Sequence, residues 1–130
     1  MPHVVLEGPV DLRAYARDFR PVLLRRGRDV LRADRIFVER EGYSLLIEAL
    51  VVEAGRKQPF YLKISTHERG GATVRVDPMT HPERSEGVRA LVAELGADLL
   101  RRSPEARLGV TNLVLPSDGL DSGDDPGGQA

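Results

Sequence analysis

Apolar positions along the chain change period several times, and each change marks an element. His3 to Glu7 is a short apolar, partly β-branched run closed by Gly8-Pro9, which reads as a strand. Asp11 then offers an N-cap, and Leu12, Tyr15, Ala16, Phe19, Val22 and Leu23 follow helical spacing. Pro21 inside that set predicts a kink or a break into two helical pieces, and Gly27 a C-terminal stop. Arg35-Ile36-Phe37-Val38 reads as a strand. Glu41-Gly42 turns the chain into a long apolar run, Tyr43 to Val52, whose weak alternation predicts burial on both faces.

Between Phe60 and Ser65 the alternation is clean. Phe60, Leu62 and Ile64 oppose Tyr61, Lys63 and Ser65, so one side of this strand meets water. A turn at Gly70-Gly71 leads into a second strand, Thr73 to Val76. A second helix follows, capped by Thr80 or His81, with Pro82 in its first turn and Val88, Leu91, Val92, Leu95 and Leu99 as its buried stripe. Leu108 to Leu115 is a last strand, stopped by Pro116. Residues 117–130 are mostly Gly, Asp, Ser and Pro, the composition of a flexible tail. The chain is thus one domain, 1–116, with a tail, 117–130. Two β-α-β units can be traced, one opening at Pro2 and one at Tyr43. They predict an α+β fold: a mixed sheet with both helices on one face.

Composition narrows the chemistry. Twenty acidic residues nearly cancel nineteen basic ones, so no global field calls for nucleic acid or an anionic membrane. No cysteine is present, which removes disulfides, thiolate catalysis and Cys-ligated zinc, and the three histidines lack metal-ligand spacing. No apolar stretch nears the ~20 residues of a membrane span. A soluble, cytoplasmic protein is the expectation.

One candidate reaction remains. Once Met1 is removed, Pro2 carries a free secondary amine on a fixed ring. Burial and a neighbouring cation both lower the basicity of such an amine toward neutral pH, where it can take up and return a proton. A proline in second place also occurs with no such role. The opening Met1-Pro2-His3-Val4-Val5-Leu6-Glu7 resembles that of the 5-carboxymethyl-2-hydroxymuconate isomerases of the tautomerase superfamily. Further stretches fit in order: Leu31 to Ile36, Tyr43 to Val52 with Ala54-Gly55-Arg56, Arg84 to Leu100, and Leu108 to Pro116.

The resemblance implies a cofactor-independent isomerase of the tautomerase/MIF-like fold, serving aromatic degradation. It also implies a homotrimer with sites between subunits. Pro2 would be the catalytic base. Arg56 and either Arg32 or Arg35 would bind the carboxylates of a small unsaturated 2-hydroxy or 2-oxo acid. A guanidinium suits that task because it grips a carboxylate through two parallel hydrogen bonds and stays charged. Each arginine also has a plain role open to it: Arg56 as a solvated turn residue beside Lys57, Arg32 and Arg35 in surface ion pairs with Asp34 or Glu39. His3 is expected to pack, since strand alternation points it away from Pro2. The segment from about Gln58 to Met79 has no counterpart in that family and reads as an inserted hairpin. That insertion motivates a second reading, a non-catalytic oligomeric module that binds a small ligand. A third is an unrelated ferredoxin-like domain.

Overall fold

The computed structural model describes residues 1–116; the tail assigned to 117–130 lies outside the described residues. In chain order the strands are β1 (His3–Glu7), β2 (Val22–Arg26), β3 (Asp29–Val38), β4 (Ser44–Glu53), β5 (Arg56–Thr66), β6 (Ala72–Val76) and β7 (Arg107–Thr111). Two helices interrupt them, α1 (Leu12–Asp18) and α2 (Glu86–Arg101). All these strands join one sheet, in the order β2-β3-β4-β5-β6-β1-β7. Every neighbouring pair is antiparallel, and the sheet curls into a half-barrel.

The expected mixed sheet of two β-α-β units, tautomerase-like with an inserted hairpin, is therefore overturned. Two short turns explain why. Helix α1 stops at Phe19, and Arg20-Pro21 leads into extended backbone, because proline cannot donate to a continuing helix. Val22 and Leu23, which fit the helical spacing, belong to β2. That strand doubles back through Gly27, whose φ of 61° suits the first loop position of a two-residue hairpin. Where a crossover was expected there is a hairpin, and β2 lies antiparallel to β3.

The second turn is Ala54-Gly55. Both residues have positive φ, 51° and 74°, the requirement of a type I′ hairpin, so β4 passes straight into β5. Gln58 to Met79 is consequently no insertion. It supplies most of β5 and all of β6, which lie inside the sheet.

Strand β4 is not buried on both faces. Leu45, Ile47, Ala49 and Val51 are sealed, while Leu46, Glu48, Leu50 and Val52 are half-buried. The sealed set joins Val4, Leu6, Leu31, Leu62, Ile64 and Val74 beneath α2, whose buried stripe includes Val88, Leu91, Val92, Leu95 and Leu99. Helix α2 starts later than Thr80 or His81. Ser85 is its N-cap, accepting from the Val88 N–H at 3.2 Å. The Glu53 carboxylate accepts from the Gly87 N–H at 2.8 Å, favourable at the positive end of the helix dipole. Gly96 lets the helix settle onto β1, since a Cβ there would come within 2.8 Å of Val4.

Helix α1 packs on the same face and is tied to α2 by the Tyr15 hydroxyl, which donates to Asp98 at 2.6 Å. Asp98 also accepts from Arg101 and Arg102. Burial first, then the Asp98 charge, pushes the Tyr15 phenol far above its ordinary range. The chain's first strand sits between β6 and β7, so α2 crosses over β1 on its way to β7. Strand β7 ends at Thr111, short of the predicted Leu115.

Candidate ligand-binding face

Both helices cover one side of the sheet, and the other side carries none. Pairing register gives the layout of that bare side directly, because residues opposite one another share a face. One rung runs Leu23, Arg32, Leu50, Pro59. The next holds Arg35, Glu48 and Tyr61, just past a bulge at Asp34. A third runs Phe37, Leu46, Lys63, Arg75, His3, passing from hydrocarbon to cation across five strands. A fourth carries the hydroxyls of Ser44, Ser65 and Thr73.

Two cavities open on this face, flanking the turn Asp77-Pro78-Met79-Thr80. One, of about 420 Å³, is lined by Arg32, Asp34, Glu48, Leu50, Pro59, Tyr61 and Thr80 among others. The other, of about 390 Å³, is lined by Phe37, Val38, Glu39, Ser44, Leu46, Lys63, Asp77 and Met79. Both lie at the small end of the range for ligand pockets. The turn between them is fixed by its backbone. The Asp77 N–H donates to the Tyr61 carbonyl at 2.7 Å, and the Asp77 carbonyl accepts from the Thr80 N–H at 2.9 Å and hydroxyl at 3.0 Å.

The arginines expected at a site fall into two groups. Arg32 lines the first cavity, with its Nε 3.3 Å from Asp34. Arg35 stands beside it on the bare face, its Nε 3.9 Å from Glu48 and its guanidinium 5.5 Å from the centre of the Phe37 ring. Arg56 is elsewhere: it opens β5 at the Ala54-Gly55 turn and pairs with Glu83 at 2.5 Å. All three make exposed ion pairs, which hold little energy and leave the guanidinium free to exchange partners.

Pro2 is not with any of them. It is buried, in step with Val4 and Leu6, whose side chains face α2. Its nitrogen carries the Met1 acyl group, and that carbonyl accepts hydrogen bonds from Asn112 Nδ2 at 2.7 Å and His3 Nδ1 at 3.0 Å. Four strand steps separate β1 from β3 along the sheet, about 19 Å at the usual inter-strand spacing of ~4.8 Å. His3, expected to pack, is half-buried at the cationic end of the third rung.

Residues that single themselves out here were not singled out by spacing. Lys63 and Arg75 face each other directly on adjacent strands, a like-charge placement that disfavours the pair. Neither has an ion pair or side-chain hydrogen bond among the described residues. Asp77 is only 8% exposed, and its carboxyl is likewise unpartnered. The alternation Tyr61, Lys63, Ser65 did place Lys63 on the wetter side. Nothing in the sequence pairs Arg75 or Asp77 with it, because strand register and the turn at Pro78 decide that.

No group of three or more potential metal ligands gathers among the described residues, and no described helix is long and apolar enough to cross a membrane. No family model, curated protein or solved structure matches this chain.

Proposed function

We propose that the protein is a binding module that takes a small carboxylate-bearing ligand on its helix-free sheet face. One observation carries this: the rung Phe37, Leu46, Lys63, Arg75 places unpaired cations against hydrocarbon, beside a cavity of ligand size. Hydrocarbon walls with a few convergent polar groups are the usual make-up of a small-molecule site. An ammonium or guanidinium without a carboxylate partner favours an anion in return. A panel of short aliphatic and aryl carboxylates, read by thermal shift on the full chain, tests the proposal. Members that raise the melting temperature in the native protein should lose the effect in Leu46→Asp, which puts a negative charge inside the cavity. If no carboxylate stabilises the protein, or if Leu46→Asp responds as the native chain does, the proposal fails.

Proton transfer from Pro2 asks for more. Met1 has to be removed, Pro2 has to meet solvent from the side that α2 covers, and a guanidinium has to reach it across the sheet. Intact-mass measurement decides the first condition, and turnover of a 2-hydroxydienoate by native and Pro2→Ala protein decides the reaction. A homotrimer follows from the family resemblance and from nothing in the packing of one chain.

A further inference from the structure

We infer that the cavity beside Lys63 is a subsite for a free α-amino acid with a hydrocarbon side chain. The inference rests on the binding reading above and names the ligand class for the same face. Asp77 is its starting point. The residue is more than nine-tenths buried, its backbone is locked into the 77–80 turn, and it lines the cavity. Its carboxyl has no hydrogen bond or ion pair among the described residues. A buried carboxyl without a donor is costly, and a cationic ligand group would relieve that cost.

A cationic donor stands close to it without pairing with it. The Asp77 N–H bonds the Tyr61 carbonyl, which extends the β5–β6 ladder one step and sets Asp77 across from Tyr61. Lys63, two residues along β5 on the same face, is then a diagonal neighbour, at the ~7–8 Å typical of that relation. No ion pair links the two side chains, and Arg75 stands behind Lys63 in register. Glu39, also at the rim, is already engaged: its carboxylate accepts from the Glu41 N–H at 2.8 Å and the Tyr43 N–H at 3.0 Å. Those two bonds hold it below the usual carboxylate range.

What fits between an unpaired carboxyl and an unpaired ammonium is a small molecule with the opposite charges. An α-amino acid carries its ammonium and its carboxylate on one carbon, a compact head that can offer one hydrogen bond to each of the two groups. Its ammonium would meet Asp77 and its carboxylate Lys63, while its side chain lies against Phe37, Leu46 and Met79. Met79 is 84% exposed, a flexible apolar flap that gains cover when the cavity fills.

The test is calorimetric titration of the full chain with leucine, 4-methylpentanoate, which lacks the amine, and 3-methylbutylamine, which lacks the carboxylate. Leucine is expected to bind about tenfold or more tightly than either analogue, the worth of one charged hydrogen bond. Asp77→Asn should erase the preference for leucine over 4-methylpentanoate, and Lys63→Met the preference for leucine over the amine. Lys63 is half-buried on an open face, so that variant keeps the measurement interpretable should Asp77→Asn fold poorly. Equal affinity for leucine and 4-methylpentanoate, with both lost in Leu46→Asp, overturns the amino-acid assignment and leaves the carboxylate site standing. Absence of binding by all three ligands removes this inference. Absence across the wider carboxylate panel removes the binding reading as well.

Discussion

Along β4, Leu45, Ile47, Ala49 and Val51 are shut away under the helices, while Leu46, Glu48, Leu50 and Val52, one step out of phase, stay half in water. Composition barely distinguishes the two sets, since both are rich in aliphatic residues. Their neighbours do. The first set meets the α2 stripe, where Leu91, Leu95 and Leu99 are wholly buried. The second meets Arg32, Tyr61, Lys63 and the 77–80 turn. One side of the sheet is spent on stability, and the other retains apolar surface that stability has not claimed.

Substitutions on either side of β5 put that contrast under the largest strain. Leu62→Ala empties a fully buried site and should lose about 2–5 kcal/mol in urea unfolding. Lys63→Ala, one residue on, should stay within about 0.5 kcal/mol of the native chain. Similar losses at both positions would mean that the bare face is as tightly packed as the covered one. Gly96→Ala is expected to cost about 1–3 kcal/mol, because the added methyl meets Val4, itself wholly buried, on a strand that cannot retreat.

Tyr15→Phe should lose about 1–2 kcal/mol by leaving Asp98 one donor short. It also has a pH signature. The folded-state phenol is raised above its unfolded value, so its contribution is whole below pH ~10 and declines as pH rises beyond that. Native protein should therefore lose stability above pH ~10 more steeply than Tyr15→Phe, and parallel curves would show the contact absent in solution. The smallest effect, and one on neither face, is Ala54→Asn. Asparagine tolerates positive φ better than alanine, so a gain of up to about 1 kcal/mol is expected, read as a rise in melting temperature.

How much of this was legible beforehand depended on whether the signal was local. Strand β1 ran over the residues that its pattern named, and the helical stripe of α2 matched its buried residues, because strong periodicity and packing agreed there. The alternation in β5 named its wet side for the same reason. What misled was a helical spacing continued through Pro21 and a short motif, Ala54-Gly55-Arg56, that fits a hairpin as well as a crossover. Those two points account for the difference between the expected topology and the observed one. Arg32 and Arg35 lie on the bare face, but strand order holds Pro2 apart from them, and Arg56 stands at the turn that opens β5, in phase with its covered residues and paired with Glu83.

The place of β1 in that order has a consequence for synthesis. Its partners are residues 72–76 on one side and 107–111 on the other, both made long after it. As the chain leaves the ribosome, β1 has no partner until residues 72–76 have emerged, and its other edge stays bare until residues 107–111 follow. Nascent chains in which β6 has not emerged should thus present β1 as a protease-sensitive segment, and full protection should come only once β7 is out as well.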